Sequence, residues 1–414
     1  MGLLKRDSSL FEHGFIMFIS LIIARFFGYL FQIYVARAVG PEEYGVFGSL
    51  FSIFLILTVP TGTIQTVVSR FTSEYNIGNN YSLIKILFLK SIKRLGSFGI
   101  IGVIIFAVFS YPIALFLKIP SVFPIIILGF SIIWSFLTPI PEGTLIGLQR
   151  FKSLGIATIL HTTSRFLFMI ILLSLGFKLN GVIFSFAIAP IVPFLFCYFK
   201  LKDIMKLEIP NTNIDVPSIY NYSYPILVVV GLSALLQNSN ILAVKHFFSS
   251  YQTGIYVSAL NISMIIIFLS TALTSSQFPK VSSLHSSNLP SFHILKESLV
   301  YMIVFSFIFI FSCTFLKEYL VLFLFGNEYV EASRLLPILS VTMSIFAVST
   351  LLLSYLMALK EFIFIKKLLL ISIIYIFTLF VVHSSINTII NITLITFLGV
   401  ISLSIWSIYK IKTK

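Results

Sequence analysis

Apolar runs long enough to cross a bilayer follow one another along the whole chain, separated only by short breaks of Gly, Pro, Asn or charged residues. A membrane-spanning helix needs ~20 mostly apolar residues. Such segments lie near 10–37, 44–70, 92–117, 121–148, 153–177 and 180–200, and again near 218–246, 253–278, 298–324, 334–359, 362–383 and 388–409. Dividing 414 residues among twelve segments leaves about 35 for each helix and its connection, so the loops are short and no soluble catalytic domain fits. With 58% hydrophobic residues, 10% charged residues and a mean hydropathy of +1.05, no water-facing surface can be built. The expected class is an all-α integral membrane protein of about twelve transmembrane helices.

The charges orient these helices. Of 28 Lys and Arg, twenty fall at every second gap: Lys5, Arg6, Arg70, Lys85, Lys90, Lys93, Arg94, Arg150, Lys152, Lys200, Lys202, Lys206, Lys280, Lys296, Lys360, Lys366, Lys367, Lys410, Lys412 and Lys414. Six fall at the other gaps: Arg37, Lys118, Lys178, Lys245, Lys317 and Arg334. Cytoplasmic loops retain Lys and Arg, so both termini are expected in the cytoplasm, with the chain in the plasma membrane. The net charge of +14 is thus a topology signal; it is scattered over short loops and forms no nucleic-acid patch. No cleavable signal peptide is expected, because the first apolar stretch carries Arg25 and continues to Arg37. Cys197 and Cys313 lie inside apolar segments and read as packing residues.

The longest polar connection, Lys200 to Pro217, divides six segments from six. The expected organisation is an N-terminal lobe over 1–205, a cytoplasmic linker over 206–217 and a C-terminal lobe over 218–414. The halves also match in sequence. At an offset of about 209 residues, ARAVGPEEYGVF (Ala36 to Phe47) faces KHFFSSYQTGIY (Lys245 to Tyr256), with Gly45 opposite Gly254. Near the same offset ALFLK (Ala114 to Lys118) faces FLFGN (Phe323 to Asn327), and at 211 LIGLQRF (Leu145 to Phe151) faces LMALKEF (Leu356 to Phe362). An even number of helices in each half makes this a parallel repeat of two six-helix lobes.

Three turns, ARAVGPEEYGVF, FGNEYVEASRLLPIL (Phe325 to Leu339) and FFSSYQTGIYVSA, resemble those of the oligosaccharide flippases of polysaccharide biosynthesis (Wzx-like). These belong to the multidrug, oligosaccharidyl-lipid and polysaccharide (MOP) exporter superfamily, and the resemblance covers essentially the whole chain. In the first turn Gly40 and Pro41 end one helix, Glu42 and Glu43 sit at the positive dipole end of the next, and Tyr44 is placed to anchor at the interface. The resemblance implies a carrier that turns a sugar on a polyprenyl phosphate or pyrophosphate from the inner to the outer leaflet. Its partners would be the lipid-linked oligosaccharide, the bilayer and glycosyltransferases of the same pathway. It implies no cofactor; sodium or protons are open as coupling ions.

The intramembrane charges bear on that idea. Arg25 lies 12 residues before Arg37 and Arg165 lies 13 after Lys152, so both sit about 18 to 20 Å from a helix end, near the midplane. A lipid-facing charge there costs ~2.5 to 3.5 kcal/mol or more, and a cavity is the cheaper home. A guanidinium offers paired donors to phosphate and keeps its charge, so Arg25 and Arg165 are candidate phosphate ligands; the competing reading is an arginine satisfied by helix carbonyls. Glu142 is a candidate for gating or for an ion pair with one arginine. In the second half, Gln237, Asn238, Asn240, Asn261, Thr274 and Gln277 are polar within apolar segments and read either as a sugar-accepting lining or as interhelical glue. Family members resembling this chain often carry an acid near Asn240, and this departure counts against a carboxylate-based sodium or proton site at that position. Pro60, Pro112, Pro139 with Pro141, Pro190 with Pro193, Pro225 and Pro337 are expected to break helices. Gly143 and Gly147 form a close-packing GxxxG.

No histidine cluster suggests a metal, and no GxxxxGK[ST] loop suggests ATP hydrolysis. The chain therefore reads as a transporter. A drug exporter of the same superfamily would want acidic groups for a cationic substrate, and a membrane glycosyltransferase or polymerase would want a catalytic cluster in a large outer loop.

Overall fold

A computed structural model describes residues 2–208, 224–287 and 289–412, with side chains described for 14–208, 225, 227–287 and 289–411. Linker positions 209–217, the expected segment start at 218–223 and Lys414 lie outside the described residues, as do the side chains of Lys5, Arg6 and Lys412.

Among the described residues every regular element is helical. The first half contains α1 (Gly2–Leu57), α2 (Val59–Ile77), α3 (Tyr81–Val108), α4 (Ser110–Leu117), α5 (Phe123–Leu137), α6 (Pro139–Gly147), α7 (Phe151–Ser174), α8 (Lys178–Ile188), α9 (Ile191–Lys200) and α10 (Lys202–Met205). The second contains α11 (Tyr224–Phe247), α12 (Ser250–Ser263), α13 (Ile265–Ser286), α14 (Phe292–Phe315), α15 (Lys317–Leu324), a 3₁₀ helix (Asn327–Arg334), α16 (Leu336–Ala358), α17 (Ile365–Val381) and α18 (Ile386–Lys412).

Among the described residues ten helical runs are long and apolar enough to span a membrane. The first, Gly14–Ile77, has 64 residues, about 96 Å against a core of ~30 Å, and counts twice. It is interrupted at Gly40, whose φ of 76° and ψ of 170° leave the helical region just before Pro41. α17, with 17 residues, covers about 26 Å and makes the twelfth crossing. Element order repeats between the halves. The second crossing, 41–77, and the run Ser250–Ser286 stand 209 residues apart at both ends, and each is broken once, at Thr58 and at Met264. The pair α3 and α4 likewise corresponds to α14 and α15.

Most of the expected proline breaks are present, whereas Pro225 and Pro337 start helices and break none. Breaks fall at Thr58 before Pro60, Phe109 before Pro112, Thr138 before Pro139, and Ala189 at Pro190. Several boundaries run beyond the apolar segments, the third helix furthest. It begins at Tyr81, a full three turns before the expected 92, because the basic stretch around Lys85, Lys90 and Arg94 continues the helix beyond its apolar part. The second and eighth segments run on to Ile77 and Ser286.

Two compact units result, Met1–Val39 with Ile53–Leu227, and Gly40–Ser52 with Val228–Lys414. The expected first lobe of 1–205 had included 40–52; those residues instead pack with the second unit. In the first unit, α2 and α6 approach closely. A Cβ on Gly143 would lie 2.7 Å from the Gln65 carbonyl oxygen, and one on Gly147 would lie 2.5 Å from Thr72 Cβ. Ile64, Val68, Phe88, Leu95, Ile140, Leu145, Leu154 and Cys197 form the core there. In the second unit α16 is buried on nearly every side, from Leu336 to Ala358.

At one end of the first unit Arg150 ties the α6–α7 junction to α10. Its Nη1 donates to the Lys200 carbonyl at 2.6 Å and to Asp203 Oδ1 at 3.0 Å, and Nη2 pairs with Asp203 Oδ2. Hydrogen bonding from Arg150 holds the Asp203 carboxyl below its ordinary range, and the same bond raises Arg150. A depressed carboxyl stabilises the fold above its unfolded value, near 3.8, and that contribution fades as pH falls through the folded value. With Asp203 57% exposed, the pair contributes no more than about 1 kcal/mol. Asp203→Asn should therefore lower the melting temperature slightly at pH 7, and the difference should fade as pH falls below the ordinary value near 3.8 and vanish only below the depressed folded value.

Candidate substrate site in the first unit

Three helix breaks meet at one place. Thr58, Thr138 and Pro190, which interrupt α1/α2, α5/α6 and α8/α9, all line a cavity of about 280 Å³. Phe54, Thr61, Ser131, Trp134, Ser135, His161, Arg165 and Phe186 complete the lining. Interrupted backbone at membrane depth is stable only inside protein or beside a wet cavity. Two carbonyls deprived of their usual donor by proline show how it is satisfied here. Pro139 cannot donate to the Ser135 carbonyl, and Thr61 Oγ1 donates to it instead at 3.0 Å. Pro193 cannot donate to the Ala189 carbonyl, which accepts from Ser164 Oγ at 3.2 Å and from the Val192 amide at 3.2 Å. Removing either hydroxyl leaves a buried acceptor short of a donor. Thr61→Val should destabilise the protein by about 1 to 2 kcal/mol, and Ser164→Ala by less, since Val192 remains. Melting of the two single variants and the double, whose effects should add, checks this.

Arg165 is the one charged side chain in this lining. It projects from α7, its Nη2 donates to His161 Nε2 at 3.4 Å, and its Cζ lies 4.4 Å from the Phe186 ring centroid. Its Nε–H is buried with no acceptor. An unused donor on a half-buried guanidinium is chemically able to bond an anion. Phe186 is itself held edge-on by Phe31 at 5.6 Å and Phe54 at 5.1 Å, so the face under the guanidinium is rigid. Trp134 adds a broad aromatic surface, and the threonine and serine hydroxyls add adaptable donors and acceptors.

The other sequence candidates stand apart from this cavity. Arg25, on α1, has an exposed side chain and is not in the lining. Glu142, on α6, accepts a hydrogen bond from Gln65 Nε2 at 3.0 Å. Asn238 is buried, with Nδ2 donating to the Ala234 carbonyl at 2.8 Å. Asn240 is fully buried near the Tyr375 hydroxyl, which makes its hydrogen bond to Thr393 Oγ1 at 3.1 Å. Gln277 is buried at 1% exposure, Gln237 is half-buried, and Thr274 Oγ1 bonds the Thr271 carbonyl within its own helix. Asn261 Nδ2 donates to the Tyr44 hydroxyl at 2.8 Å. That bond corrects the reading of Tyr44 as an interface anchor. Tyr44 has no exposed surface and packs among Phe47, Phe325 and Tyr329. His161, Trp134 and the cavity threonines were not foreseen. The His161–Arg165 spacing of four residues was a readable signal, since such pairs meet on one helix face.

Residues 34–334 match the polysaccharide biosynthesis protein family, which is nearly three quarters of the chain. The chain belongs to this family. An uncharacterized membrane protein of Methanocaldococcus jannaschii is 23% identical over 349 residues, covering 81% of each chain. The fold is that of the MOP superfamily. A multidrug resistance MATE family transporter in an inward-facing conformation superposes with a TM-score of 0.75 at 13% identity, covering 94% of this chain and 95% of that one. A MOP superfamily transporter from Pyrococcus furiosus, described as having a binding pocket of reverse polarity, gives a TM-score of 0.64 at 15% identity over 98% and 95%. This polysaccharide biosynthesis family member is a multi-pass membrane protein with the fold of MOP superfamily transporters.

Proposed function

We propose that this transporter carries an oligosaccharide linked to a polyprenyl phosphate or pyrophosphate from the cytoplasmic to the outer leaflet, by alternating access, during assembly of a cell-surface polysaccharide or glycan. The observation that carries this reading is the cavity lining: one arginine with a buried, unused donor, no carboxylate among the lining residues, and aromatic and hydroxyl groups around it. A cationic drug would meet a guanidinium there and no counter-charge. A phosphate-bearing headgroup meets its complement. Family membership points the same way, and the 20 to 6 division of Lys and Arg supports a plasma-membrane protein with both termini inside. Glycosyltransferases that build the lipid-linked sugar are its natural suppliers.

The test is movement of a labelled polyprenyl-pyrophosphate sugar across liposomes containing the purified full-length chain, run beside uptake of an organic cation. Protein-dependent movement of the lipid-linked sugar supports the reading. Cation uptake without it assigns the chain to drug export.

A further inference from the structure

We propose that His161 is a proton-linked ligand in this cavity, so that the site takes up one proton with a pyrophosphate diester and none with a phosphate diester. The inference rests on the anionic-substrate reading above and deepens it to the class of headgroup.

Arginine has only donors, so the 3.4 Å contact with Arg165 Nη2 makes His161 Nε2 the acceptor. This pairing therefore holds the ring with a lone pair, not a proton, at Nε2. Protonating it there would place two cations side by side, one helical turn apart on α7. Filling the cavity with an anion reverses the preference. Phosphate oxygens replace the imidazole as acceptors for Arg165, and the freed Nε2, as a lone pair, would face the anion with repulsion. With a proton from solvent it becomes a donor and a second positive charge.

Charge balance then distinguishes the two headgroups. A phosphate diester carries one negative charge, which Arg165 matches alone. A pyrophosphate diester carries two, and in a low-dielectric cavity the second is matched only if His161 is protonated. Nothing else in the lining supplies that charge. α7 packs on α6, α8 and α9 and, through Gly155 against Ser20 and Phe166 against Phe27, on α1. The titratable groups on those elements include Glu142 on α6, held by Gln65, Cys197 on α9, in the apolar core, and Arg25, Tyr29 and Tyr34 on α1, the last against Phe166 of α7; α5 and α8 contribute aromatic and hydroxyl groups to the lining. None of them lines the cavity.

Because linkage is reciprocal, a proton that favours the headgroup is also held by it. Acidifying the receiving side should slow the headgroup's departure.

The experiment is calorimetric binding to the full-length protein in nanodiscs, between pH 5.5 and 8, in two buffers of different ionisation enthalpy. The probes are a soluble short-prenyl pyrophosphate sugar and the corresponding phosphate sugar, both diesters without a proton to exchange in that range. The expected result is uptake of about one proton per pyrophosphate diester, with affinity rising up to about tenfold per pH unit as pH falls, and no uptake with the phosphate diester. His161→Gln, which preserves a polar side chain of similar reach, should bind with the pH dependence abolished. Pyrophosphate binding without proton uptake, or equal uptake in His161→Gln, overturns the inference and leaves the carrier reading standing. The wild-type measurement decides this even where the variant fails to fold. Absence of binding with either probe also overturns it, and the liposome assay then shows whether the carrier reading falls with it.

Discussion

Gly254→Ala should prevent accumulation of a folded, monodisperse protein, whereas Gly399→Ala in the same unit should leave melting unchanged or slightly raised. A Cβ on Gly254 would stand 1.9 Å from the Pro41 carbonyl oxygen and 2.7 Å from its carbon. A Cβ on Gly45 would stand 2.0 Å from the Ser250 carbonyl oxygen and 2.8 Å from the Gly254 amide nitrogen. These are backbone atoms, so no rotamer change relieves the clash; one helix start must move off the other. Ordinary overpacking costs about 1 to 3 kcal/mol, and a rigid backbone clash lies at or above the top of that range. The segment at risk anchors the second unit through Tyr44, its bond to Asn261, and the aromatic cluster with Phe325 and Tyr329. Around Gly399 a Cβ meets nothing within 4 Å, and alanine is the better helix former. Size-exclusion profiles and melting curves of both variants in detergent check the contrast. A Gly254→Ala protein melting within a few degrees of wild type would remove the close approach from the account.

That contact also shows what sequence reasoning could and could not reach. Gly45 and Gly254 align across the internal repeat, so their equivalence was legible; that the equivalent turns touch was not, because a repeat specifies similar structures and says nothing of where they meet. The twelve crossings were legible because ~20-residue apolar runs have few other fates, and the helix breaks because proline removes a donor wherever it stands. Depth is a matter of rise per residue, by which Arg25 and Arg165 are both expected near the midplane. Azimuth was not legible. In a soluble helix the apolar stripe reveals the buried face, but here lipid and core are equally apolar, and the signal that would separate exposed Arg25 from cavity-lining Arg165 is lost. The same loss hid Tyr44, an aromatic whose type suits an interface and whose position is a core. His161 escaped because its partner is an arginine, and metal and catalytic spacing patterns do not include that pair.

Arg165→Ala should reduce transfer of the lipid-linked sugar roughly 10- to 100-fold at subsaturating substrate while leaving the protein as stable as wild type or more so. The first half follows from the loss of hydrogen bonds to a charged group, each contributing about 1.5 to 3 kcal/mol. Arg165→Lys should restore part of the rate, because an ammonium supplies charge without the planar fork that meets two phosphate oxygens at once. The second half follows from what the side chain lacks in the protein alone. Its Nε–H has no acceptor, its Nη2 contact to His161 is long at 3.4 Å, and its remaining contact is the face of Phe186. A half-buried cation so weakly compensated is a burden on folding, and such strain is retained where a ligand relieves it. Arg25→Ala, at an exposed side chain outside the cavity, should change transfer by less than about threefold, within the range of a surface charge acting at a distance. Melting and transfer measured on the same preparations separate the possibilities. If Arg165→Ala lowers both together, the arginine is structural; if it lowers neither while Arg25→Ala lowers transfer, the headgroup is held at the α1 arginine and not in the cavity of the first unit.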